Sequence, residues 1–260
     1  MKWSEEYRVH YYYTDYNNIL KPGYIARYMQ ETAWNSLKRK GPSPEYLYKN
    51  NLAFILSKIS FRYYEEIYED DIIKVETWPN PAKSIIFPRN YRIYKNEKIM
   101  AEAASAWVLM DIKKKSILRP DDFKSLLTIY DDEELDFTVQ KKFKMPEAAQ
   151  TSAGHNNISE YKVNCADIDT NLHMNNAVYI DLVCNQLYSD HDVISPELKK
   201  KIISLDLNYN GEARFAQVIE LNKSVISCDS GAKEYYIKAK IKNGEQNQNC
   251  FESKAVLINL

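Results

Sequence analysis

The sequence predicts an α+β chain built from two like halves in tandem, each a helix followed by a run of antiparallel strands. An internal repeat is the first observation behind this. Shifted by 154, Tyr7-Arg8-Val9 falls on Tyr161-Lys162-Val163, Asp15 on Asp169 and Asn17 on Asn171. Shifts of 146 and 148 then lay Phe61, Tyr63 and Glu66 on Leu207, Tyr209 and Glu212, and Val108-Leu109-Met110 on Val256-Leu257-Ile258. Three segments matched in order indicate duplication, and loops of different length produce such small changes of offset. The second observation is the order of patterns. One helical period precedes several strand-like segments in each half, which argues against alternating βαβ units.

In the first half, Tyr7 to Tyr13 reads as an extended opening. Pro22 stands near a helix start, and Ile25, Tyr28, Met29, Ala33 and Leu37 recur at helical spacing before Gly41. Strands are predicted at Phe54 to Tyr64, Asp71 to Trp78, Ile85 to Tyr94 and Ala101 to Asp111. In the second half a helix is predicted near 176 to 189, capped by Asn175 or Asn176. Strands follow near 203–210, 216–227, 233–242 and 250–259. Arg119-Pro120, the acidic run Asp131-Asp132-Glu133-Glu134 and Pro146 to Asn157 mark a polar connector, read as a surface crossing with a short helix around Asp121 to Tyr130. The expected division is therefore a domain over 1–119, a linker over 120–158 and a second domain over 159–260.

The composition is that of an ordinary globular protein: 45% hydrophobic, 27% charged, net charge −1. That balance offers no positive field for nucleic acid. No apolar run approaches the roughly 20 residues needed to span a bilayer. The opening Met1-Lys2-Trp3-Ser4-Glu5-Glu6 lacks the apolar stretch of a secretory signal, so a cytoplasmic protein is expected. Cys165, Cys184, Cys228 and Cys250 are scattered and read as reduced, mostly buried thiols. The 21 Tyr suit half-buried sheet positions. No His/Cys cluster has metal-ligand spacing and there is no Gly-rich phosphate loop, so neither a metal nor another cofactor is expected.

The chemistry concentrates in Asp167-Ile168-Asp169-Thr170-Asn171-Leu172-His173-Met174-Asn175-Asn176. In an extended segment Asp169, Asn171 and His173 would share one face. The helix that follows presents unpaired N–H groups at its start, suited to a developing negative charge. A carboxylate, an amide and an imidazole beside such a terminus fit acyl-group chemistry. His173 is the acid–base candidate. Asp169 could activate water, attack a carbonyl or hold a partner in place, with general base or orienter the favoured roles. Asn171 can orient or hydrogen-bond a carbonyl, although the Asp15/Asn17 pair, which recurs with Ile19 where the second half has His173, speaks for a partly structural turn.

The run Asp169-x-Asn171-x-His173-x-Asn175-Asn176-x-x-Tyr179-Ile180 resembles the active-site motif of the acyl-acyl carrier protein thioesterases. Val75-Glu76-Thr77-Trp78-Pro79, Arg89 and Ala106-Trp107-Val108-Leu109-Met110-Asp111 follow that family's first domain in order and spacing, and Leu207-Asn208-Tyr209-Asn210-Gly211-Glu212 resembles the strand of its second catalytic cluster. The resemblance implies a tandem double hot-dog fold, each half a long helix packed against an antiparallel β-sheet. It implies hydrolysis of fatty acyl-acyl carrier protein to free acid and carrier protein, ending fatty-acid synthesis. Asp169, Asn171, His173 and Glu212 become the catalytic set, and the backbone N–H groups from Asn175 and Asn176 through to Val178 the oxyanion donors. The first half, with Ile19 for His, becomes the acyl-pocket half, with Tyr28, Met29 and Ala33 as lining candidates that a plain core would equally require. Plant-type enzymes place a Cys directly after the glutamate, whereas this chain has Ala213, which favours attack by water.

An acidic carrier protein would dock on basic surface, for which Lys38-Arg39-Lys40, Lys113-Lys114-Lys115 with Arg119, and Lys199-Lys200-Lys201 are available, although charge runs are ordinarily solvated faces. A homodimer is left open. The rival readings are an acyl-coenzyme A thioesterase of the same fold, a non-catalytic acyl-binding protein, and a hot-dog dehydratase.

Overall fold

The computed structural model describes residues 2–119, 131, 133–144, 146, 157–189, 200–228, 231–244 and 246–259. The helix expected at 121–130 and Lys199 lie outside these residues. The chain divides into two compact units, Met1–Val139 and Gln140–Leu260.

The first unit runs β1 (Trp3–Arg8), a 3-10 turn (Tyr11–Tyr13), α1 (Pro22–Lys40), α2 (Pro44–Lys49), β2 (Leu52–Tyr63), β3 (Ile72–Pro79), β4 (Phe87–Lys95), β5 (Lys98–Asp111) and β6 (Ser116–Leu118). Its strands pair antiparallel in the order β1-β3-β4-β5-β2, with β6 on β5. Pro22 at the first helical position pre-sets the backbone of α1, and Lys38, Arg39 and Lys40 complement the dipole in its last turn. Ile25, Ala26, Met29, Thr32 and Ser36 are buried at three- and four-residue spacing, the face that α1 lays on β1 and β3. The extended opening is shorter than expected: after Arg8 the chain leaves the sheet, and Tyr11–Tyr13 curl into the 3-10 turn. Tyr13 then packs on Tyr24, and Tyr7 stacks on Tyr28, at ring separations of 4.2 and 4.5 Å.

The second unit runs β7 (Asn157–Lys162), a 3-10 turn (Cys165–Asp167), α3 (Asn176–Leu187), β8 (Lys200–Tyr209), β9 (Val218–Ser227), β10 (Lys233–Ile241) and β11 (Gln248–Asn259). Its antiparallel order is β8-β11-β10-β9-β7. α3 packs on β10, and Ala177, Ile180, Val183 and Leu187 are among its buried residues.

The duplication is physical. β1 and β7, the two 3-10 turns, and the first residues of α1 and α3 are all related by the shift of 154. So are the isolated bridges Thr14–Leu20 and Ile168–Met174. The last strand departs from expectation. Phe61 pairs with Ala103 while its counterpart Leu207 pairs with Ser253, so the offset there is 150 and the shift of 148 is one pleat short. A slip of two residues returns each side chain to the same face, which is why the apolar pattern alone accepts either register.

Two further expectations are corrected. The part of the connector from 133 to 139 is no free surface crossing. Trp78 Nε1 and Asn80 Nδ2 both donate to the Glu133 carbonyl, at 2.8 and 2.9 Å, and Leu135 is buried against Trp78 and Ala104. Among the cysteines only Cys250 is fully buried, and burial pushes its thiol up to about 12; Cys165 is exposed in the 3-10 turn. None of the four is in a disulfide. Among the described residues, no helix is long and apolar enough to cross a membrane.

Trp78 is fully buried and holds the 133–139 segment on β3. Trp78→Ala removes that wall and one donor, and is expected to lower unfolding free energy by about 3–5 kcal/mol, read as a reduced denaturant midpoint at unchanged slope.

Candidate active site

The D-x-N sequence does not run as a strand. Residues 168–174 close into a tight loop, its legs joined by the Ile168–Met174 bridge and by Asp169 N–H donating to the His173 carbonyl at 3.0 Å. Asp169 Oδ1 accepts the Asn171 N–H at 2.8 Å, a turn that Asp and Asn build readily, and Leu172 takes a left-handed φ of +63°. The expectation of one shared extended face is therefore corrected. Asn171 stands exposed near the tip, His173 lies on the returning leg, and Asp169 has one oxygen committed to the loop. The first half repeats this loop around Asp15, whose Oδ1 accepts from Asn17 and Ile19 N–H at 2.8 and 3.1 Å, without a histidine. Loop building is thus the property common to both halves.

The returning leg meets the segment after β8. Met174 N–H donates to the Ala213 carbonyl at 2.8 Å, which sets the neighbours His173 and Glu212 side by side. His173 Nε2 lies 3.2 Å from Glu212 Oε2, with the imidazole 25% exposed and the carboxylate 49% exposed. Sequence named both residues, and the fold brings them into contact.

Three groups hold the Glu212 segment. Asn210 and Gly211 N–H both donate to the Cys250 carbonyl, at 2.8 and 2.9 Å. A Cβ on Gly211 would lie 2.5 Å from the Asn249 carbonyl oxygen, so this approach needs glycine. Tyr179, from the second turn of α3, accepts the Ala213 N–H at 2.9 Å and donates to the Gly211 carbonyl at 3.4 Å. Burial pushes the Tyr179 phenol far up, which keeps it protonated and able to do both. Tyr209 packs edge-on against Tyr179 and donates to the Asn176 carbonyl at 3.0 Å, fastening β8 to the helix start. Tyr179, Tyr209 and Gly211 are absent from the residue set that sequence analysis assigned to chemistry, although all three stand inside the quoted motifs.

At the helix start Asn175 is the N-cap, its Oδ1 accepting the Ala177 N–H at 2.9 Å. Asn175 N–H donates to the Asp167 carbonyl and Val178 N–H to the Asn175 carbonyl. The expected row of oxyanion donors is narrowed accordingly, since three of its N–H groups already serve the fold; Asn176 is the remaining position. In the first unit Met29 is buried, Ala33 half-buried, and Tyr28 rests against β1 with its hydroxyl donating to the Arg8 carbonyl at 3.1 Å. Among the described residues no group of three or more His, Cys, Asp or Glu is placed to hold a metal ion.

Tyr179→Phe leaves the buried Ala213 N–H without its acceptor and frees the Glu212 segment. A loss of about 1–3 kcal/mol in stability is expected, with any activity of the site falling by a larger factor than the folded fraction; equal losses would deny Tyr179 a positioning role.

Comparison with known proteins places this geometry. The acyl-ACP thioesterase N-terminal domain matches residues 1–126 and the C-terminal domain residues 150–254. A chloroplastic acyl-[acyl-carrier-protein] hydrolase of Cuphea viscosissima is 24% identical over 222 residues, 81% of this chain and 51% of that protein. A chloroplastic palmitoyl-acyl carrier protein thioesterase of Arabidopsis thaliana is 21% identical over 217 residues, 80% of this chain and 51% of that protein. The chain spans about half the length of these curated relatives. Among solved structures, an acyl-ACP thioesterase from Bacteroides thetaiotaomicron superposes with a TM-score of 0.78 at 19% identity, covering 98% of this chain and 97% of that one. The 12:0-ACP thioesterase from Umbellularia californica gives 0.79 at 16% identity, covering 100% and 98%. The fold is the tandem hot-dog expected from sequence, and the two domain matches, which together span most of the sequence, establish that this chain belongs to the acyl-ACP thioesterase family.

Proposed function

We propose that the protein hydrolyses the thioester of fatty acyl-acyl carrier protein, releasing the free acid and the carrier thiol and so ending chain growth. The observation that carries this reading is the His173–Glu212 pair, 3.2 Å apart and clamped by Tyr179, inside the segment that matches the family's C-terminal domain.

With Nε2 turned to Glu212, Nδ1 is the ring nitrogen left to take a proton. His173 draws it from a water whose oxygen attacks the thioester carbonyl carbon. When the tetrahedral intermediate collapses, the C–S bond breaks and the same proton passes to the departing thiolate. Glu212 holds the ring in the required tautomer and balances its positive charge. Asp169 acts through the loop it builds, and Asn171 offers its side-chain amide to the carbonyl. The Asn176 N–H supports the oxyanion at the start of α3. Ala213, where plant-type relatives carry Cys, fits water as the attacking group. The first unit serves as the acyl-pocket half, with the α1 residues Tyr28, Met29 and Ala33 assigned to the chain. The division into 1–119, a linker over 120–158 and 159–260 is kept for this assignment, with the 133–139 segment attached to the first unit. The basic runs at Lys38-Arg39-Lys40 and Lys113-Lys114-Lys115 are assigned to the acidic carrier, a cytoplasmic setting is proposed, and a homodimer remains compatible with it.

Thiol release from matched acyl chains on carrier protein and on coenzyme A tests the reading. Wild type is expected to prefer the carrier esters, and His173→Ala to lower kcat by about 10²–10⁴-fold with an unchanged unfolding curve. Preference for coenzyme A would move the substrate class, and tight acyl binding without thiol release would make the chain a binding protein. Alkylation confined to the exposed Cys165 is expected to leave turnover intact; a stoichiometric loss of activity would bring a thiol back into the mechanism.

A further inference from the structure

We propose that Leu172 and Phe215 form an apolar rim beside the His173–Glu212 pair, and that this rim, with Arg214, docks the protein carrier of the thioester. The proposal rests on the thioesterase reading above and deepens it.

The two halves supply the comparison. Leu172 corresponds to Asn18, and both residues sit at the same left-handed point of the same loop, with φ of +63° and +61°. Phe215 and Ala216 correspond to Glu69 and Asp70, with φ of +66° at Ala216 and +65° at Asp70. The hydrogen bonds around these turns also match. Val9 N–H donates to Asp71 and Asp70 N–H to Val9, while Val163 N–H donates to Gln217 and Ala216 N–H to Val163, all between 2.9 and 3.0 Å. In the first half the two tips touch, since Glu69 N–H donates to the Asn18 carbonyl at 3.3 Å. The shared frame therefore places Leu172 and Phe215 at the two corresponding tips of the second half.

Side-chain chemistry is what differs. The half with Ile19 in place of His173 has Asn, Glu and Asp at these tips, and the half with His173 has Leu, Phe and Ala. Leu172 is 74% exposed and Phe215 63% exposed. Asn tolerates a left-handed backbone, whereas a branched apolar residue there is uncommon and strained. An exposed leucine at such a point adds nothing to the core of its own unit, and an observed backbone outlier of this kind points to function. Leu172 is the direct neighbour of His173, and Phe215 stands three residues past Glu212, so both flank the place where the thioester must lie. An acyl chain needs shielding from water along its length, which side chains this exposed do not provide. A protein surface closing over them does. Arg214, also exposed, stands between Glu212 and Phe215 and supplies positive charge toward an acidic carrier.

The test compares one acyl chain on carrier protein and on free pantetheine, in the full-length protein with Leu172→Asn, Phe215→Glu and both together. The ratio of kcat/KM for the carrier ester to that for the pantetheine ester is expected to fall about tenfold in the double variant, through KM, which corresponds to about 1.4 kcal/mol of carrier contact. Leu172→Asn should melt no lower than wild type, because Asn suits the backbone it inherits. Titration of acyl-carrier onto His173→Ala protein, with and without the rim substitutions, should show the same weakening without turnover. An unchanged ratio, or an equal fall on both esters, would overturn the proposal. A wild-type dimer that the substitutions dissociate would do the same, because the rim would then cover a second copy. If wild type releases thiol from neither ester, the thioesterase reading fails, and the titration alone decides whether the rim still binds a carrier.

Discussion

The hydrogen bond from Met174 N–H to the Ala213 carbonyl is the constraint on which the candidate site depends. It joins two segments some forty positions apart in the chain and sets the register between them. His173 and Glu212 are the residues immediately before its two ends, so their separation follows from backbone geometry. The reach of two flexible side chains would hold it far less well. A backbone bond costs no rotamer freedom, and shielding within the unit strengthens it relative to one exposed to water. Tyr179 and Gly211 act on the same junction: one clamps both flanking peptides, and the other lets the segment lie against β11 without a Cβ in the way.

Comparison of the halves separates what builds the scaffold from what performs chemistry on it. The first half keeps the equivalent backbone bond, Leu20 N–H to the Ile67 carbonyl, and keeps the aspartate-centred loop. Ile19 stands in place of His173, Ile25 in place of Tyr179 and Glu65 in place of Gly211. Ile25 and Ile67 are buried there, so the junction closes by apolar packing. Glu66 survives, but its carboxylate takes the Tyr68 hydroxyl where Glu212 takes an imidazole. One duplicated frame thus carries two kinds of junction, one closed by apolar packing and one carrying the His173–Glu212 pair to which the proposed reaction assigns the proton transfer.

Asp169 and Asn171 illustrate how a motif conceals two roles. Their type and spacing attract attention as chemistry, yet the same pair at Asp15 and Asn17 shows that Asp-x-Asn is first a way to turn the chain, with the carboxylate accepting the N–H two residues on. The turn is what delivers His173 to Glu212. In the proposed reaction Asp169 serves by position.

By itself the sequence determined the class of fold, the duplication, the order of elements and the N-cap choice at Asn175 or Asn176. Each of these follows from local rules: period, cap chemistry, residue type and repeated spacing. Tertiary structure decided the rest. The register of β11 was ambiguous because a two-residue slip preserves the face of every side chain. The D-x-N-x-H run read as extended because alternation takes no account of a carboxylate folding back on its own backbone. The 133–139 segment read as a free connector because its anchors, Trp78 and Asn80, lie more than fifty residues earlier in the chain. Tyr179 carried no chemical label in the sequence because its role lies in contacts with Gly211 and Ala213, over thirty residues away, and contacts at that separation exist only once the helix, the loop and the sheet have been brought together.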